Sequence, residues 1–509
     1  MENCVDVANK MLHSDDSLLY NAIIQIMEEK MLKMQQKPFE PVSFVREGTV
    51  KIEGTEIPYK VISEDNVLTS EAGEPVGSIF TYSYFRTDIS EEEAKKRPVL
   101  FAFNGGPASS SIWIHWGLIS PKKIDFENPI DPQQVAPYTL VNNDRCLLDI
   151  CDMVLLDPVT CGYGVLIDPK AASEFFGTDQ DAAAMALVIE QWLIKHHRMN
   201  APKYLMGESY GTQRASVLVN ALMCGPTFQN KACTGIAING IILMGTILPA
   251  DPSLHALVEG SMEDCVLNLP TMAATRYYHE PVEGVTQEEF IDDCYTFAAD
   301  AYLRALYLGN RLPKEELAAC IQKLSYFTGI PESWFSANGL RITAQQFPKI
   351  YGETALGKVV GVYDSRFTMD LHHGLQLPDP VADDGAMGKY TAYYAGIMSG
   401  VGKELLGIDV ERPYKVINFD TLMKWNHQAV RTPLLSMQEA LRRNPQLRVL
   451  VANGIYDLCT PMGNARYSFS QIASEPGQVV IKDYPSGHMT YVGEESYEML
   501  TKDLHEFIK

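Results

Sequence analysis

Residues 203–223 read KYLMGESYGTQRASVLVNALM. The apolar run Tyr204–Met206 predicts a strand buried on both faces, and the stretch from Gln213 to Met223 predicts a helix. Between them stands Gly207-Glu208-Ser209-Tyr210-Gly211, a G-x-S-x-G pattern. A strand that turns straight into a helix needs small flanking residues, because a Cβ there would collide with its neighbours. The turn lifts the Ser209 hydroxyl to the edge of a sheet. A Gly-rich turn whose serine only caps a helix would share the pattern, so the strand before it and the helix after it carry the reading.

The same strand type recurs on both sides. RPVLFAF (97–103), DMVLLDP (152–158), GIILMG (240–245), LRVLVANG (447–454) and QVVIKDYP (478–485) are short and nearly continuously apolar. Strands of this kind form largely parallel sheets. Helical stretches lie between several of them. In residues 178–197, Met185, Val188, Ile189, Trp192 and Leu193 share one side, with Thr178 or Asp179 as the expected N-cap. Residues 43–87 are β-branched and aromatic with turn residues between, which predicts antiparallel strands. Residues 1–40 predict a helical lead, with Leu18, Ala22, Ile23, Ile26 and Met27 on one face. The domain plan is therefore a lead (1–40), a first core part (41–250), a mainly helical cap or lid insertion (251–400) and a second core part (401–509).

Composition narrows the function classes. The chain has 509 residues, is 46% hydrophobic and carries a net charge of −22. No Lys/Arg block is present, which speaks against nucleic acid as a partner. No run reaches the length of about 18 apolar residues that a membrane helix needs, so no membrane partner is expected. The ten cysteines form no C-x-x-C pair. With no signal-peptide core near residue 1, reduced thiols and a cytoplasmic location are expected; a trimmed form of a secreted or periplasmic protein would read the same. His196-His197 and His372-His373 are adjacent rather than i, i+4, so no metal site is expected. The phosphate-binding Gly-rich loops are also missing, and no cofactor is expected. Oligomeric state stays open, with a homodimer as one option.

A serine alcohol is a poor nucleophile until a base takes its proton. On an α/β-hydrolase scaffold the partners follow in the order Ser, acid, His, each in a loop after a later strand. Asp457, in Asn453-Gly454-Ile455-Tyr456-Asp457, follows one such strand, and His488, in Gly487-His488-Met489, follows the next. The other late histidine, His505, falls in the helical stretch Thr501–Ile508. Ser209, Asp457 and His488 are thus the expected catalytic triad of an α/β-hydrolase fold, with a mostly parallel central sheet flanked by helices and a helical cap. Asn104-Gly105-Gly106-Pro107 follows the early strand where this fold places its oxyanion loop. The second oxyanion donor would be the N–H of Tyr210.

Together these segments resemble the serine carboxypeptidases, peptidase family S10. Asn104 to Ser111 is similar to that family's N-G-G-P-G-C-S-S loop, and Gly207 to Gly211 to its G-E-S-Y-A-G elbow. Asn453 to Asp457 resembles its acid loop, Gly487 to Met489 its G-H-M, and Leu156-Asp157-Pro158-Val159 a core-strand segment. The resemblance implies that the N–H groups of Gly106 and Tyr210 form the oxyanion hole. It also implies that Asn104, Gly105 and Glu208 bind the free carboxylate of a peptide C-terminus. Two carboxylates share a hydrogen bond only when one is protonated, so such binding would favour acidic pH.

Departures from the pattern are Ala108 for Gly, Ser109 for Cys and Gly211-Thr212 for Ala-Gly. Leu118 stands where many members carry a second Glu, so Glu208 is expected to titrate more normally. Asp457 and His488 are only 31 residues apart, which with the missing signal peptide points to a divergent, bacterial-type branch. The expected activity is a serine-type carboxypeptidase acting on peptides with a free C-terminus. An esterase or an acyltransferase on the same scaffold is the alternative, and a non-catalytic binding protein the third reading. His488 must be neutral to act as base, so activity should fall as it protonates. Tyr163 is a candidate pocket residue.

Overall fold

The computed structural model describes residues 39–132, 135–224, 235–249, 258–371, 379 and 381–509. Nearly all of the expected N-terminal lead, and the His372-His373 pair, lie outside the described residues. Ser43–Lys509 forms one unit.

Its frame is a ten-stranded sheet. The strands are β1 (Ser43–Ile52), β2 (Thr55–Thr69), β3 (Pro75–Arg86), β4 (Val99–Phe103), β5 (Asp152–Asp157), β6 (Lys203–Glu208), β7 (Gly240–Met244), β8 (Arg448–Gly454) and β9 (Val479–Tyr484). A tenth, Val165–Leu166, pairs with β3. Their order across the sheet is β1-β2-β3-β5-β4-β6-β7-β8-β9. β1 to β3 form an antiparallel meander, β3 meets β5 antiparallel, and every later pairing is parallel. Every residue of β4, β5, β6 and β7 is buried, which is why these segments are continuously apolar instead of alternating.

Helices α1 (Thr178–Lys195) and α2 (Tyr210–Cys224) pack on the sheet, and a later helix, Pro433–Arg443, joins the same core. Met185, Val188, Ile189, Trp192 and Leu193 of α1 are all buried against Val99, Phe101 and Leu205. The Trp192 ring meets Phe101 edge-on at 5.4 Å and stacks on Phe85 at 5.7 Å, and its Nε1 donates to Ser83 Oγ at 2.9 Å. The N-cap of α1 is Gly177, not Thr178 or Asp179. Those two side chains are used elsewhere: Thr178 Oγ1 accepts from the Tyr210 hydroxyl, and Asp179 Oδ2 from the N–H of Val430.

The segment after β7 carries α3 (Met262–His279), α4 (Gln287–Phe297), α5 (Lys314–Thr328) and α6 (Met387–Ser399). It also holds a two-stranded sheet, Lys358–Val360 with Thr368–Asp370, that the sequence reading did not foresee. Three-residue strands are too short to show a period. The insertion has its own core, built from Leu269, Met272, Phe290, Leu324, Phe327, Phe335 and Tyr351. Leu458, which follows Asp457, belongs to that core rather than to the sheet's. Among the described residues no helix is long and apolar enough to cross a membrane.

Candidate active site

Parallel register brings the carboxyl ends of the central strands to one edge, where open α/β sheets bind ligands. Phe103, the last residue of β4, lies opposite Gly207, and Glu208, the last of β6, lies opposite Met244. Ser209 follows directly with φ +61°, a left-handed conformation that non-glycine residues rarely adopt. Its N–H donates to Met244 O at 2.9 Å, fixing the turn to the next strand. No larger residue fits beside it: a Cβ on Gly207 would lie 2.1 Å from Gly211 O.

Gly105 and Gly106 sit over this elbow. A Cβ on Gly105 would come within 2.3 Å of Tyr210 N, so the two segments that carry the expected oxyanion donors are in contact. Tyr210 opens α2, and a first-turn N–H has no acceptor within its own helix. The loop is held from below. Asn104 Oδ1 accepts from Ile114 N–H at 3.1 Å, and the buried Arg214 donates to the Asn104 carbonyl while pairing with Asp181 at 2.5 Å. Asp157 Oδ1 accepts from Ser111 N–H at 2.8 Å, and its Oδ2 from the Tyr82 hydroxyl at 2.9 Å. Ala108 has φ +65°, so the alanine that replaces a glycine occupies a left-handed position where a Cβ is strained.

The structure brings Asp457 and His488 together from loops after β8 and β9. His488 Nδ1 lies 2.8 Å from Asp457 Oδ2, and both side chains are buried. The other oxygen of Asp457 accepts from the N–H groups of Cys459 and Thr460, both at 2.9 Å. The Thr460 hydroxyl donates to Asp457 Oδ2 and lies 3.1 Å from His488 Nδ1. Burial pulls His488 down, but the charge and hydrogen bond of Asp457, with Glu208 and Asp384 behind them, leave it above its ordinary value. Ser209 and His488 line one cavity of about 70 Å³ with Asn104, Gly105, Gly106 and Glu208. Trp113, Tyr363, Met387, Ile417 and Met489 supply its apolar walls.

Glu208 is buried, and its Oε1 accepts from Asn104 Nδ2 at 2.7 Å. Among the described residues, its Oε2 and the Tyr491 hydroxyl, which feels the same carboxyl, have no partner in normal hydrogen-bond geometry. Burial pushes Glu208 up to about 7, against the opposing pull of His488, Tyr491 and Asn104. The expectation that Glu208 titrates normally without a second carboxylate is therefore corrected, because burial, with the charge of Asp457 added, raises it. Leu118 is buried, and its carbonyl accepts from Asn143. Tyr163 is also corrected: it packs between Phe80 and Tyr414, at 5.4 and 5.0 Å, and does not line the cavity. His505 pairs with Asp149 at 3.1 Å. Among the described residues one trio could meet a metal ion, Asp457, Cys459 and His488, with donor atoms within 4.8 Å. Asp457 and His488 are already bonded to each other.

The serine carboxypeptidase (peptidase S10) family model matches residues 79–493. The chain belongs to that family. It is thus a serine carboxypeptidase by descent, a peptide-bond hydrolase on the α/β-hydrolase fold. The solved carboxypeptidase Kex1(delta)p of Saccharomyces cerevisiae, described as prohormone-processing, has the same fold with a TM-score of 0.55. Identity is 12%, and 91% of each chain is covered. A proline iminopeptidase of Mycobacterium smegmatis (TM-score 0.33, 11% identity, 88% of this chain and 98% of that one) is more distant. A putative aryl esterase of Burkholderia cenocepacia (0.34, 12%, 87% and 97%) is similarly remote. A search of curated proteins finds no match.

Sequence reasoning missed several groups around this cavity. Thr460 could have been suspected, because a hydroxyl three residues after an acid often closes a turn on it. Arg214 and Tyr491 carry no local signal; only the fold brings them near. The same holds for Arg366, which donates to Pro485 O at 2.9 Å in the loop that carries His488.

Proposed function

We propose that the chain removes C-terminal residues from peptides through an acyl-enzyme on Ser209. The Ser209 hydroxyl attacks the last peptide carbonyl while His488 Nε2 takes its proton. Asp457 holds the imidazole from Nδ1 and stabilises its charged form. The N–H groups of Gly106 and Tyr210 receive the developing oxyanion. His488 then gives its proton to the leaving amine, and a water activated by the same base releases the acyl group.

One observation carries the exopeptidase assignment. A buried carboxyl whose pKa is raised to about 7, bonded to Asn104 at 2.7 Å, shares a cavity with Ser209 and His488. A protonated Glu208 can donate to a substrate carboxylate that an ionised one would repel. Blocking the peptide C-terminus as an amide should therefore cut kcat/KM by about 100-fold, the cost of leaving buried polar groups unpaired. Equal turnover of amide and free acid would reject the carboxylate site and favour an esterase-like use of the scaffold. Labelling by a fluorophosphonate, lost in Ser209→Ala, checks the nucleophile.

A reducing compartment such as the cytoplasm is part of the proposal. Cys146, Cys151, Cys161, Cys265, Cys294, Cys320 and Cys459 are free thiols, all but Cys459 buried. Thiol titration of protein unfolded without reductant should find these seven reactive, and pairing among them would reject this placement.

A further inference from the structure

Asp457 and His488 sit on loops after different strands, so something must hold those loops in register. The insertion segment 362–366 bonds to both. On the acid side, Leu458 N–H donates to Val362 O at 3.0 Å. Ser365 donates to Tyr456 O from both its N–H and its hydroxyl, each at 3.0 Å. On the base side, His488 N–H donates to Tyr363 O at 2.7 Å, and the Tyr363 ring meets the imidazole edge-on at 5.3 Å. Arg366 spreads its guanidinium over the same loop. Nη1 donates to Pro485 O at 2.9 Å, and Nη2 to Val492 O at 3.0 Å and Ser486 Oγ at 3.3 Å. Asp364 holds the guanidinium through Nε at 2.9 Å and Nη2 at 2.6 Å.

The segment is itself anchored to the insertion. Ser365 Oγ lies 2.6 Å from Thr275 Oγ1, and Ser365 O lies 2.7 Å from His279 Nε2, both on α3. Packing leaves no slack: a Cβ on Gly487, next to the base, would come within 2.5 Å of the Asp364 side chain and the Tyr363 carbonyl. Arg366 does not line the catalytic cavity, and its fork is buried. A planar, five-donor group that touches three separate points of one loop fixes that loop in a way a lysine cannot.

We propose that the 362–366 segment sets the distance and angle between Asp457 and His488, with Arg366 as its principal positioning residue. The insertion is then part of the catalytic frame and not only a cover over it. This rests on the reading of Ser209, Asp457 and His488 as a triad.

The effect is separable from plain stability. Misplacing a catalytic group by about 1 Å costs on the order of 100-fold in rate. The ionisable groups facing His488 are Asp457 from the β8 loop, Glu208 from β6 and Asp384 from the insertion, with Asp457 the strongest upward pull. Tyr363 and Cys459 stand beside them. If the loops part, His488 loses part of the Asp457 pull. It then protonates at lower pH, and the acid limb of activity moves down as the plateau falls. A residue that only stabilises the fold reduces the amount of active enzyme and leaves that limb in place.

Arg366→Lys and Ser365→Ala keep net charge and can be compared with wild type and Ser209→Ala in the full chain. The readouts are kcat, KM and the pH profile of kcat/KM on a free-acid peptide, with thermal melting alongside. Arg366→Lys should lose about 10- to 100-fold in kcat with KM within about twofold, and its acid limb should shift downward. Ser365→Ala should move both in the same direction by less, and it decides the question if Arg366→Lys does not fold. Wild-type kcat in the folded variants, or a lower kcat with an unmoved limb, overturns the proposal. Undiminished activity in Ser209→Ala would instead overturn the triad reading beneath it.

Discussion

Glu208→Gln should change the shape of the pH profile and not only its height. Burial holds the Glu208 carboxyl at about 7, so its neutral, donating form persists well above the usual carboxylate range. At pH 8 a group with a pKa near 7 is only about one-tenth neutral, so kcat/KM on a free-acid peptide should there be about tenfold below what a permanently neutral group at this position would give. On the acid side His488 is held above its ordinary value, so the neutral base is lost as pH falls through that raised pKa. The wild-type profile is therefore a narrow bell around neutrality. Its two limbs belong to a coupled pair, since each charge shifts the other's titration. Glutamine can still accept from Asn104 and donate to a carboxylate, but it does not ionise. The variant should lose the alkaline limb altogether. Its acid limb should also move to lower pH, because the Glu208 charge is one of the groups holding His488 up. The assay is kcat/KM from about pH 5 to 9 on a free-acid peptide and on a small ester without a carboxylate. The ester should show a single acid limb with the wild-type enzyme. A variant that kept the alkaline decline on peptides would refute the reasoning, since another group would then have to titrate near 7.

Three other outcomes follow from the packing. Gly105→Ala places a methyl 2.3 Å from Tyr210 N, so kcat/KM should fall by about 100- to 1,000-fold, as for loss of an oxyanion donor; melting measured in parallel separates this from unfolding. Thr460→Val removes the hydroxyl that bridges Asp457 and His488, and kcat should drop by about 2- to 10-fold at constant KM, the worth of one hydrogen bond. Trp192→Ala empties a fully buried site on the sheet and should cost about 3–5 kcal/mol in chemical denaturation.

The sheet was legible in the sequence because burial on both faces leaves a simple trace. Segments such as VLFAF and KYLMGE have no polar side to show, and the buried strands end within a residue or so of their apolar runs. Ser209 was legible because a left-handed serine needs glycines around it. Asp457 and His488 were legible by their order after successive strands, and their 2.8 Å approach follows from parallel pairing of β8 and β9. The supports of the site were not legible. Arg366 lies far along the chain from the Pro485 and Val492 carbonyls that it bonds, and no local pattern links them. The raised titration of Glu208 was missed for a related reason. A missing charged partner can be read from one position, whereas burial depends on everything packed around the group.

Strand β7 pairs with β8 although the whole insertion is translated between them. The elbow serine therefore leaves the ribosome long before the aspartate and the histidine exist. A chain that stops before the last two strands would hold the Ser209 hydroxyl without the base proposed to activate it. On the proposed triad, then, activity is complete only once the final two strands have docked.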